Sequence, residues 1–112
     1  MSQHHLTFDA EATVTFLPTI DGGHTGPALS GYRPQFYYGG CDFVCLCTFP
    51  DVAQANPGDT VRTLISFMTP ARHSGSVLIG TPFLFREGRR IVAYGSITAL
   101  LELESSVRAE NQ

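Results

Sequence analysis

Residues Leu6–Phe16 alternate almost without fault, with Leu6, Phe8, Ala10, Ala12, Val14 and Phe16 on one side and Thr7, Asp9, Glu11, Thr13 and Thr15 on the other. Side chains of period two belong to an extended chain, so this stretch reads as a strand with one buried face. The same pattern returns at Cys41–Phe49, where Cys41, Phe43, Cys45, Cys47 and Phe49 share a face. It returns again at Thr60–Thr69 (Val61, Ile65 and Phe67), at Thr81–Arg86 (Phe83 and Phe85), and at Arg90–Leu103 (Ile91, Ala93, Gly95, Ile97, Ala99 and Leu101). Between these runs lie Asp21-Gly22-Gly23, Gly39-Gly40, Pro57-Gly58-Asp59 and Glu87-Gly88-Arg89, residues that accept the dihedrals of tight turns. About six strands separated by Gly/Pro turns, with no convincing helix, specify an all-β barrel or sandwich.

At 112 residues the chain is long enough for one domain with a real core and too short for two. We expect the β domain to occupy residues 1–104, with a polar, frayed 105–112 segment after it. Gly95 inside the last strand predicts a bend or bulge. Pro34 cannot donate to a ladder, so Gln35–Tyr38 reads as a strand beginning or an edge.

Several kinds of chemistry find no support. The chain has no lysine, which excludes a phosphate-cradling Gly-x-x-x-x-Gly-Lys-Ser/Thr loop and with it GTP binding and hydrolysis. A net charge of −3 argues against non-specific nucleic-acid affinity, although Arg86, Arg89 and Arg90 form a local cluster. No run approaches the length of a membrane span, and the start lacks the n- and h-regions of a signal peptide, so the expectation is a cytoplasmic protein. Cys41, Cys45 and Cys47 sit two or four residues apart on one strand, a spacing that suits small buried hydrophobes rather than a metal site. His4, His5, His24 and His73 read as solvated or turn-forming, and Ser74 and Ser76 lack a nucleophile elbow. The expectation is therefore a non-enzymatic protein with no cofactor and no metal.

Four segments in this order carry a resemblance: Asp21-Gly22-Gly23, Gly31-Tyr32-Arg33-Pro34-Gln35-Phe36-Tyr37-Tyr38, Pro57-Gly58-Asp59 and Arg86-Glu87-Gly88-Arg89-Arg90. Together they are similar to the C-terminal β-barrel domain of bacterial and organellar elongation factor Tu, over roughly Ala10 to Leu103. The chain reads as a stand-alone homologue of that domain. The resemblance implies a single Greek-key antiparallel barrel of about six strands that contacts the T-stem of aminoacyl-tRNA, packs on a GTPase domain and touches the exchange factor Ts.

Taken residue by residue, the implied tRNA contacts are only partly retained. Gln35, Glu87 and Gly88 match the family. His24 stands where the family has an arginine, Val44 where it has a threonine, Thr69 where it has a lysine, and Arg89 where it has a second glycine. Leu84 replaces a small residue on the surface that meets the GTPase domain, and the loop between Pro70 and Arg86 is longer than the family's. The candidate contact face therefore comprises His24, Gln35, Val44, Thr69, Leu84, Glu87, Gly88, Arg89 and Arg90. The reading is a protein-interaction domain or decoy whose partner is a translation factor, an exchange factor or a toxin-like protein. The alternative is a weak tRNA-binding domain.

Overall fold

The structure, a computed structural model, describes residues 8–103. The expected 105–112 tail, Leu6, Thr7, His4 and His5 lie outside the described residues. Eight strands follow in chain order: β1 (Ala10–Phe16), β2 (Ala28–Leu29), β3 (Gln35–Tyr38), β4 (Cys41–Thr48), β5 (Gln54–Ala55), β6 (Thr60–Phe67), β7 (Pro82–Glu87) and β8 (Arg90–Leu100). Six of them close an antiparallel barrel in the order β1-β6-β4-β3-β7-β8, while β2 and β5 pair with each other in stretches that look like loops in the sequence.

Closure follows from the alternation. The inward residues Ala10, Ala12, Val14 and Phe16 of β1 are buried, and β1 pairs with β6 on one side and β8 on the other. Thr63 joins Val61, Ile65 and Phe67 on the buried face of β6, which ends at Phe67 rather than Thr69. Rings fill the centre: Phe36 stacks on Phe83 at 4.4 Å and meets Phe67 edge-on at 5.1 Å, geometries worth about 1 kcal/mol each beyond their area. The strand after Pro34 is not an edge. β3 is bonded to β4 and β7 on its two sides, because Pro34 stops just short of the ladder and leaves every N–H of Gln35–Tyr38 free to donate.

The simple alternation of β8 breaks twice. Arg86 opposes Ile91 and Phe85 opposes Ala93, so one extra residue turns Ile91 out (43% exposed) and Val92 in (0%). A second shift opposite Glu11 and Ala12 precedes Leu101, which is exposed rather than inward. Such bulges bend a strand around a barrel. Between them Gly95 has a different reason to be glycine: a Cβ there would lie 2.4 Å from the Thr13 carbonyl oxygen and 2.8 Å from the Phe83 ring.

The cysteines divide. Cys45 and Cys47 are buried, whereas Cys41, beside the Gly39-Gly40 turn at the start of β4, is exposed and not part of the inward face. Burial, followed by the contact with Cys45, pushes the Cys47 thiol well above its usual pKa. Only thiolate reacts, so a disulfide-exchange reagent should titrate Cys41 alone in the native protein and all three thiols after denaturation. Prompt reaction of three thiols in the folded protein would show that β4 opens.

Candidate interaction surface

Glu87 shares the parity of Phe83 and Phe85, so at the end of β7 its carboxylate turns over the mouth of the barrel. There it accepts hydrogen bonds from the Tyr32 hydroxyl at 2.6 Å and from His24 Nε2 at 2.5 Å. Tyr32 is held in turn by edge contacts with Phe85 and His24. Partial burial acts to raise the Glu87 pKa, but the two hydrogen bonds and the nearby His24 and Arg90 outweigh it and hold the carboxyl below its usual range. Burial, and then the bond to Glu87, drives the Tyr32 phenol far above its ordinary pKa. Glu87, though at the exposed hairpin tip, is thus the acceptor of a three-residue network with Tyr32 and His24.

Gly88, with φ of +65°, takes the first central position of the two-residue hairpin, where a type II′ turn needs glycine. Arg89 follows it, exposed. Arg90 is committed: its Nε donates to the Gly22 carbonyl at 2.9 Å and Nη2 to that of Gly23 at 2.5 Å, clamping the preceding turn to the hairpin.

The outer face of β8, β7, β3 and β4 forms two rows. Tyr94, Leu84, Tyr37 and Asp42 oppose one another in sequence across the four strands. Arg86, Gln35 and Val44 form the next row, and the Met68 N–H reaches the Val44 carbonyl, which brings Thr69 to the end of that row. Arg86 links the two rows, with its guanidinium 4.4 Å from the Tyr37 ring and 3.0 Å from Asp42 Oδ2. A shallow groove of about 380 Å³ lies along Tyr37, Tyr38, Pro82, Leu84 and Tyr94. Another of about 460 Å³ is lined by Asp42, Phe43, Val44, Met68, Thr69 and Arg72. Buried Gln35 Oε1, Asp42 Oδ1 and Arg86 Nε have no hydrogen-bond partner among the described residues.

His73 departs most from expectation. Far from solvated, it is 0% exposed, stacked 4.1 Å from Phe67, edge-on to Phe43 at 4.6 Å, and bonded through Nδ1 to the Tyr38 hydroxyl at 2.8 Å. The loop after β6 folds its imidazole onto the end of the aromatic core, and loop composition carries no signal of that.

The expected residues thus fall into a mouth group (His24, Glu87, Gly88 and Arg90, with Arg89 beside them) and an outer-face group (Gln35, Leu84, Val44 and Thr69). Gln35, opposite Arg86, bridges the two. Sequence reasoning did not assign a role to Tyr32, Tyr37, Asp42, Met68 or Arg72, whose partners are distant in the chain.

A family model described as the Elongation factor Tu C-terminal domain matches residues 2–101. The chain belongs to that family. Its β-barrel is a non-catalytic domain of elongation factor Tu, and in the factor it binds both proteins and tRNA. Among the described residues of this elongation factor Tu C-terminal-domain homologue, no helix is long and apolar enough to cross a membrane, and no group of three or more His, Cys, Asp or Glu side chains gathers to hold a metal ion.

Proposed function

We propose that this domain is a non-enzymatic protein-binding module of the cytoplasm. It presents the outer face of the elongation factor Tu C-terminal barrel to a translation factor, an exchange factor or a toxin-like protein. The observation that carries this reading is the commitment of the cations: Arg86 is bonded to Asp42, and Arg90 to two backbone carbonyls. Exposed on the face are the apolar and aromatic Val44, Met68 and Tyr94, beside Thr69 and Arg72, with Leu84 half-buried between Tyr37 and Tyr94. Protein interfaces favour aromatics, Met and Arg at their centres, whereas RNA needs free cations.

One observation favours a weak tRNA contact instead: the positions implied for tRNA lie on neighbouring strands, from Glu87 through Gln35 and Val44 to Thr69. Affinity capture separates the two readings. The immobilised domain should retain a protein from the source cell's lysate, and Leu84→Glu, with unchanged circular dichroism, should release it. Retention of tRNA, or a protein catch indifferent to Leu84→Glu, contradicts the proposal.

A further inference from the structure

The groove of about 460 Å³ between β4 and the loop after β6 differs in character from the rest of the surface. Its centre is apolar and open, with Met68 63% and Val44 49% exposed side by side and Phe43 beneath them. Its rim carries one uncompensated charge. The Arg72 guanidinium stands 5.7 Å from the Phe43 ring and has no ion pair among the described residues. Asp42, the carboxylate that lines the groove, is neutralised by Arg86 at 3.0 Å.

Arg72 is also held in place. It ends the 3-10 turn Pro70–Arg72, and the next residue is the buried His73, whose N–H donates to the Pro70 carbonyl at 2.9 Å. The His73 carbonyl accepts from the N–H groups of Ser76 and Val77, both at 2.9 Å. These bonds fix the backbone that presents the Arg72 side chain at the rim.

We propose that this groove receives a protein segment in which an apolar side chain is flanked by carboxylates: the apolar group covers Val44 and Met68, and a carboxylate pairs with Arg72. The proposal rests on the protein-binding reading and gives the chemistry of the partner. Charge complementarity selects this occupant. A nucleic-acid strand would set phosphates and riboses against Val44 and Met68 with one cation to hold them. A second copy docked groove to groove about a two-fold axis would bring Arg72 toward its own counterpart, a like-charge contact.

The test uses fluorescein-labelled peptides of about a dozen residues. One set places Leu and Phe among Asp and Glu, a second replaces the acids with Lys, and a third replaces the apolar residues with Ser. In fluorescence anisotropy at low salt the acidic-apolar set should bind at least about tenfold more tightly than the other two. Arg72→Glu should abolish the preference, while Arg33→Glu, an exposed arginine outside the groove, should leave it intact. Equal affinity for the three sets, or indifference to Arg72→Glu, overturns the proposal. Displacement of the peptide by tRNA through Arg72, or self-association lost in Val44→Asp, assigns the groove to nucleic acid or to a second copy and overturns it too. A captured protein that responds to Leu84→Glu but not to Arg72→Glu would refute the groove while leaving the protein-binding reading in place.

Discussion

Acidification from neutrality to pH 4 should remove about 3 kcal/mol of stability through one side chain, His73. Burial among Phe67, Phe43 and Tyr38, and then the charge of neighbouring Arg72, lower its pKa from 6.5 to about 4. Between those values the unfolded chain binds a proton at His73 that the folded chain does not. Stability is therefore fully present above pH 6.5 and declines as pH falls toward 4. Glu87, whose pKa is also lowered on folding, adds to the loss at the acid end of the range. Denaturant titrations at a series of pH values check this. His73→Leu, which keeps an apolar plug and leaves the half-buried Tyr38 hydroxyl access to water, should flatten the slope between pH 6.5 and 4. A wild-type midpoint that does not move across this range would mean the imidazole is solvated and the loop does not cap the core.

The barrel was legible in the sequence because its signals are local. Alternation in β1, β6 and the second half of β4 is a local pattern that the barrel keeps, and the hairpin turn at Gly88 is set by a dihedral that favours glycine. Gly95 signalled a bend or bulge in β8, but the positions of the two bulges were not legible. One extra residue inverts the parity beyond it, and the run from Arg90 to Leu103 is apolar on both faces, so counting by twos put Ile91 inside in place of Val92. His73 was hidden for a related reason: among Gly75, Ser74 and Ser76 its burial depends on rings contributed by three other segments. At the site, family resemblance located Glu87 and His24, but their shared acceptor network with Tyr32 spans 55 and 63 positions and leaves no periodic trace. The commitment of Arg90 to the Gly22 and Gly23 carbonyls is equally long-range, and it changes the electrostatic meaning of the Arg86–Arg90 cluster.

That commitment, with the replacements that the family resemblance implies at His24, Val44 and Thr69, leads to the largest expected effect. A hydrogen bond to a charged group contributes about 1.5–3 kcal/mol, so three weakened phosphate contacts forfeit roughly 5 kcal/mol or more, several thousand-fold in affinity. The retained groups do not restore it. Glu87 is an anionic acceptor, one oxygen of which already takes Tyr32 and His24, which suits it poorly to a phosphate, and the Gln35 amide oxygen is buried. Of the cations at the mouth and on the outer face, Arg86 is paired with Asp42 and Arg90 is bonded to two backbone carbonyls, which leaves Arg72 and Arg89, so the slope of log affinity against log salt should be no steeper than about −2. Arg89→Ala should leave stability unchanged, since an exposed hairpin charge contributes little.

That this face serves protein rather than RNA is tested most directly by fluorescence anisotropy of labelled aminoacyl-tRNA against the purified chain at two salt concentrations. The expected result is no complex tighter than roughly 10 μM at physiological salt, in the range of non-specific nucleic-acid binding. A sub-micromolar complex with a steep salt dependence, lost in the Arg89→Ala, Arg90→Ala double variant, would contradict it and make this barrel a tRNA grip.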